Sequence, residues 1–219
     1  NKIVSSTLSE FGSIYWHCIA GQTVFPVQVA VTHRIPLIIW GAHQGVEQVG
    51  MFSHKHEVEM TRRYRKDHDL MGKEADDLIT IFNSLTEEDV WQYRYPSDVD
   101  LHDIGVRGIY LSNYVRWDPI SQHEKMIKGY NFKTHRFERT FDCYDFVDCH
   151  NYMGIHDNLK LYKHGFSKIT DHCCREIRHG RISRTDAITK ICYYEQQAVK
   201  GMQLFSEWLG MDQLSLEWM

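Results

Sequence analysis

Four prolines in 219 residues leave few places where a helix or strand is forced to stop. No internal repeat, low-complexity tract or Pro/Gly-rich linker divides the chain, so it reads as one core or one core with an appended lobe. Hydrophobic runs are short. VFPVQVAV and IPLIIW fall well below the roughly 20 residues that a membrane-spanning helix needs, which excludes such a segment. The N-terminus has no signal-like hydrophobic region, and six dispersed cysteines, two of them adjacent, do not make a secreted disulfide framework, so a cytoplasmic setting is expected. Positive charge is not in excess either. The formal net charge of -4 excludes bulk affinity for nucleic acid or an anionic membrane, so any anion site must be a local patch. The chain opens at Asn1, without a methionine and inside a helical pattern of Ile3, Val4, Leu8 and Phe11, and is read as a fragment of something longer.

What is present alternates helix with strand up to about residue 120. QTVFPVQVAVTHR predicts a helix entered near Thr23 with Pro26 in its first turn, and PLIIW predicts a buried strand. Residues 56–70 are charged nearly all round, with Glu59 placed to pair with Arg62 and Arg63, and predict a solvent-facing helix. Leu78, Ile79, Phe82 and Leu85 continue the helical pattern, Thr86 and Asp89 have capping-box spacing, and VRGIYLSNYVRW at 106–117 returns to strand composition. Beyond about 155 the pattern is helical throughout. Ile169, Cys173 and Ile177 recur at i, i+4, i+8, Gly180 is a stop, Ser183 and Asp186 start the next helix over Ala187, Ile188, Ile191 and Cys192, and Leu204, Phe205, Trp208 and Leu209 close the chain. The expected fold is α/β: part of a parallel Rossmann-like sheet over residues 1–120, with a mainly helical C-terminal lobe over 121–219.

Three groups of residues could carry chemistry. Ligands of open parallel sheets bind beyond the carboxyl ends of the strands, which puts Gly41, His43, Gln44 and Gly45, then Glu47, at a possible crevice rim; a plain turn fits the same residues. A nucleotide crevice of this kind needs a glycine-rich phosphate loop, yet neither G-x-x-x-x-G-K-[ST] nor G-x-G-x-x-G nor a Ser-Gly-Gly loop occurs. The second group is basic: Lys160, Lys163, Lys168, Arg175, Arg178, Arg181 and Arg184 face only Asp171 and Glu176 within 160–184, an excess of five cations. Helical spacing puts Lys168, His172, Arg175 and Arg178 on one face, suited to a phosphate or carboxylate or simply to water. The third group, Cys143, Cys149, His150, His156, His172, Cys173 and Cys174, lacks zinc-site spacing, so no metal is expected on these residues and buried thiols with hydrogen-bonded imidazoles fit better. No Cys/His or Ser/His/Asp nucleophilic set stands out, and the aromatic stretches YWHC and WQYRYP fit core packing better than base stacking.

Two stretches, AGQTVFPVQVAVTHRIPLIIWGAHQGVEQVG and NLKLYKHGFSKITDHCCREIRHGRISRTDAI, resemble the C-terminal two thirds of the N-acetyl sugar amidotransferases. These are PP-loop ATP pyrophosphatases of surface-polysaccharide and nonulosonic-acid pathways, related to the amidation enzymes of pseudaminic and legionaminic acid. The resemblance covers most of residues 10–195 and implies that the Ser-Gly-Gly-x-Asp-Ser phosphate loop, and paired cysteines like those of a zinc ribbon, belong upstream of Asn1. It implies an ATP-dependent conversion of a sugar acetamido group to acetamidino, with Mg2+ on the phosphates, zinc only in the upstream region and ammonia from a separate glutaminase subunit. It also implies that Gln22, Thr23, Gly41, His43 and Gln44 lie beside the nucleotide, that Glu47, Lys160, Lys163 and Asp171 act catalytically, and that Lys168, Arg175 and Arg178 hold phosphates or an acidic sugar. Two other readings remain open. A PP-loop tRNA-modifying enzyme predicts steeply salt-dependent tRNA binding, which the net negative charge disfavours, and a non-catalytic scaffold predicts that Lys168 and Arg175 serve a protein complex.

Overall fold

A computed structural model describes residues 1–41, 58–143, 152–212 and 215. The chain is mixed α/β and mostly helical, and it divides into two compact units, Asn1–Trp117 and Asp118–Met219.

The first unit opens with helices α1 (Lys2–Phe11) and α2 (Trp16–Thr32). Helix α1 buries Ile3, Val4, Thr7 and Leu8 at helical spacing and stops at Gly12, whose φ of 59° is the left-handed cap conformation that a Cβ disfavours. Helix α2 begins seven residues before the expected Thr23, so Pro26 lies deep inside it rather than in its first turn. Pro26 cannot donate to the Gln22 carbonyl, a loss of about 3 kcal/mol in an isolated helix. Burial of Trp16, Ala20, Val24, Val27 and Ala30 along one stripe offsets it. Trp16 is the anchor: its indole Nε1 donates to the Lys73 carbonyl at 3.0 Å and its ring meets Tyr93 edge-on. Around it pack Ile3, Ala20, Leu70, Ala75, Leu78, Leu85 and Val90. Leu70 and Leu85 lie between helices; the others come from α1, α2 and the short helices α4 (Ala75–Ile81) and α5 (Glu87–Val90), the latter opened by the Thr86–Asp89 capping box.

The sheet is small. Strands β1 (Leu37–Trp40) and β2 (Arg107–Tyr110) pair in parallel, Leu37 opposite Arg107 and Trp40 opposite Tyr110. On its other side β2 meets Glu59 in a single antiparallel bridge. Gly108 leaves room for Trp40, since a Cβ there would stand 2.7 Å from the indole nitrogen. Strand β1 is not the buried strand its composition predicts: Leu37 is 47% and Ile39 58% exposed, because only the Ile38 and Trp40 side of the pleat is partly covered. The helix predicted over 56–70 is also different. Its described part is a turn, α3 (Arg62–Tyr64), running into a π-helical turn at Arg65–Asp69, and Glu59 pairs with Arg107 instead of Arg62 or Arg63. Arg65 is 1% exposed, stacked on Tyr95 at 4.5 Å and paired with Glu74 at 2.8 Å, so this segment is partly interior. Helix α6 (Asp98–Ile104) then leads through Gly105 into β2.

The second unit is helical: α7 (Pro119–Tyr130), α8 (Met153–His164), α9 (Lys168–Arg178), α10 (Arg184–Glu195) and α11 (Met202–Leu209). Helices α9 and α10 form a hairpin through Gly180, at φ 68°, and the reciprocal Ser183–Asp186 cap. Their shared core is Ile169, Cys173 and Ala187 with Phe141, Ile182, Ile191 and Tyr194 packed against it. Ile188 and Cys192, expected to be buried, are exposed, because α10 turns only its Ala187 and Ile191 side inward. Helix α11 closes against Tyr152, which stacks on Trp208 and meets Phe205 edge-on.

Candidate functional site

In the first unit the residues expected beside a nucleotide are partly placed. Gln22 is exposed on α2, Thr23 returns its hydroxyl to the Ile19 carbonyl at 2.7 Å, and Gly41 follows the carboxyl end of β1 with nothing within 4 Å of where a Cβ would be. His43, Gln44, Gly45 and Glu47 lie outside the described residues. The Thr23 hydroxyl is engaged within its own helix turn, the common use of a mid-helix threonine.

In the second unit the basic segment is largely neutralised. Lys160 pairs with Asp171 and lies 4.7 Å from the Phe166 ring centre. Arg175 is buried, and its guanidinium donates through Nη2 to Asp142 and through Nε to Glu176 at 2.8 Å. Arg181 joins the same chain of charges by reaching Glu176 at 3.0 Å and Asp118. The outward cationic face read from helical spacing is therefore corrected: His172 and Arg175 point into the unit, the former with its Nδ1 2.6 Å from the Thr140 hydroxyl. The physical reason is carboxylates brought in from distant sequence, Asp118 and Asp142, which no count over 160–184 includes. Lys163 and Arg178 are exposed and Lys168 is half-buried. Among the described residues, no carboxylate pairs with the Lys168 or Arg178 side chain.

Sequence reading missed the residues that organise this unit. Arg139, in an irregular segment, donates through Nε to Asp157 at 2.7 Å and through Nη1 to the carbonyls of Glu195 and Gln197. Asp157 on α8 also accepts the backbone N–H of Lys168 at 2.6 Å, so one buried carboxylate ties the 139 segment, α8 and the start of α9. A small cavity of about 40 Å3 opens beside this knot, lined by Arg139, Thr140, Gly154, Asp157, Lys168 and Lys200 among others. The one local signal was the His-Asp pair inside the amphipathic pattern of α8, which spacing cannot distinguish from a solvated face.

Next to Asp157, His156 sits among cations. Burial first, then Lys168, Lys160 and Lys163, push its imidazole down to about 3, so it is neutral at physiological pH. The consequence is a pH-dependent stability with a definite sign. An unfolded chain protonates His156 near 6.5 while the folded one waits until about 3, so stability is complete above 6.5 and declines as pH falls towards 3. Urea unfolding is expected to show His156→Gln losing about 2 kcal/mol less than the unsubstituted protein between pH 7.5 and 5.0. Equal losses would remove the imidazole from the account. Elsewhere, burial pushes the Cys173 thiol up to about 11, which makes it an inert core residue and not a nucleophile. Among the described residues no group of three or more His, Cys, Asp or Glu side chains converges as a metal site would.

Residues 124–218 match the model of the LPS biosynthesis protein WbpG-like, C-terminal domain. The matched segment begins within α7, covers the cavity, the Arg175 network except Asp118, and the α9–α10 hairpin, and includes all of the second resembling stretch. No curated protein matches the chain. The match supports the resemblance at the level of lipopolysaccharide biosynthesis for the second unit. No helix among the described residues is long and apolar enough to cross a membrane.

Proposed function

We propose that this chain is part of an ATP-dependent biosynthetic enzyme that converts a sugar acetamido group to an acetamidino group for lipopolysaccharide or related nonulosonic-acid polymers. The observation that carries this reading is the match of residues 124–218 to a C-terminal domain of lipopolysaccharide biosynthesis proteins, joined to the amidotransferase-like stretches in both units. The exposed Leu37 and Ile39 of β1 favour a sheet that continues, since parallel strands are normally covered on both faces and a two-stranded parallel sheet is marginal alone. That continuation would make it a PP-loop-type Rossmann-like sheet.

The chemistry requires activation, because an amide oxygen is a poor leaving group. The amide oxygen attacks the α-phosphorus of ATP and pyrophosphate leaves; ammonia then adds to the imidate carbon and AMP departs with the oxygen. In this reading Gln22, Thr23, Gly41, His43 and Gln44 flank the nucleotide, Glu47 contacts the ammonia or magnesium position, and a glutaminase subunit supplies ammonia. Exposed Lys163 and Arg178 and half-buried Lys168 would contact an anionic substrate, whereas the Lys160–Asp171 and Arg175–Asp142 pairs hold the surface that presents them. The described residues offer no acidic cluster fit for magnesium, so no step is derived through the ion.

The test is formation of AMP and pyrophosphate from ATP by the natural full-length protein, with a candidate glutaminase, glutamine and a nucleotide-linked acetamido sugar. The expected result is one AMP per amidine formed, dependent on glutamine. ATP cleaved to ADP and phosphate, or no cleavage with any acetamido sugar, would overturn the proposal.

A further inference from the structure

We infer that the cavity at the start of α9 is a binding site for the carboxylate group of a small organic acid, with Lys168 and Arg139 as its cationic contacts. The inference concerns the second unit only and does not depend on amidation chemistry.

Size sets the first limit. The cavity, about 40 Å3, is small and suits a group the size of one carboxylate. Hydrogen bonding sets the second. Arg139 is 5% exposed and has given Nε to Asp157 and Nη1 to two carbonyls, yet among the described residues Nη2 has no partner. A buried guanidinium N–H without an acceptor is uncommon, because losing its water without replacement is costly. Lys168 lines the same cavity. Its amide is committed to Asp157, while its ammonium meets no carboxylate among the described residues. Lys168 is also the first residue of an eleven-residue helix, whose N-terminal dipole adds to the positive potential.

Charge decides the class of ligand. Among the described residues the lining holds Arg139, Lys168 and Lys200 against Glu138 and Asp157, and Lys200 already pairs with Glu138, which leaves a net single positive charge. One unbalanced charge suits a monoanion. A phosphate dianion would stand beside two carboxylates with only a net single positive charge to meet it. The planar fork of an arginine is likewise matched to a carboxylate.

Titrations of the complete chain with sodium acetate, D-glucuronate, inorganic phosphate and neutral glucose, followed by the His156 imidazole signals in NMR, test the inference. The signals are assigned by their loss in His156→Gln. Lys168 helps hold the imidazole neutral, so an anion at Lys168 is expected to shift the signals saturably towards those of a more basic imidazole. Acetate and glucuronate are expected to bind and glucose is not; Lys168→Met and Lys168→Gln, each with an unchanged far-UV spectrum, are expected to weaken glucuronate binding by about tenfold. Lack of a saturable shift with either acid, unchanged affinity in whichever Lys168 variant folds, or phosphate binding more tightly than glucuronate at pH 7.5 would overturn it.

Discussion

Replacing Asp157 by asparagine is expected to destabilise the second unit by about 3–5 kcal/mol, the cost of leaving a buried charge unpaired. Arg139 is 5% exposed and Asp157 2%, and Asp157 is the only carboxylate among the described residues that pairs with that guanidinium. The variant also gives up the charge facing the first N–H of α9, worth about 1 kcal/mol at a helix cap. Glu138→Gln is the control: its pair with Lys200 lies at the surface and is expected to contribute no more than about 1 kcal/mol. Urea denaturation of both variants separates the cases, and a difference below 1 kcal/mol between them would mean that Arg139 finds other compensation.

Glu74→Gln is expected to cost about as much, about 3–5 kcal/mol, in the first unit. Glu74 accepts two hydrogen bonds from Arg62 and one from Arg65, with Lys66 at 3.9 Å. Arg65 is the residue at stake. Burial lowers its pKa, its Nε and Nη1 have no hydrogen-bond partner among the described residues, and Glu74 is the largest of the groups that compensate it, ahead of Tyr95 and Asp69. Asp98→Asn, which removes an exposed partner of Arg62 at 3.5 Å, is expected to change stability by about 0.5 kcal/mol or less. The double variant Glu74→Gln with Arg65→Met is expected to recover most of the loss, because removing both charges removes the uncompensated one. A double variant less stable than Glu74→Gln alone would show that Arg65 stabilises by packing rather than by its charge.

These two carboxylates mark the limit of what local pattern reveals. The Thr86–Asp89 and Ser183–Asp186 caps, the Gly180 stop, α1 and the Ile169/Cys173 stripe of α9 were all legible, because each depends on residues within about two helical turns of one another. Arg65 read as a solvated charge, and Arg175 as an anion contact or a solvated charge, because the partners that draw them inward, Tyr95, Asp142 and the Asp118–Arg181 link, lie tens of residues away in sequence. Pro26 shows the opposite error. Its propensity argues for a helix start, but the buried stripe from Trp16 to Ala30 outweighs one lost hydrogen bond. On its Arg139 side the knot with Asp157 had no signal, since an irregular segment has no period that would show which side faces inward.

Composition and local spacing were sufficient for the mixed α/β class and the helical second half, because helix caps and periodicity are written over short distances, and the second resembling stretch lies within the segment that matches a lipopolysaccharide biosynthesis domain. Which cations stay available to a ligand was settled by folding. Arg175 is drawn inward by Asp142, Lys160 is taken by Asp171, and Lys168 keeps its charge beside a cavity, a distribution set by contacts between elements far apart along the chain. Burial in low dielectric is what turns such distant carboxylates into strong partners, and burial is a property of the packed chain rather than of any stretch of it.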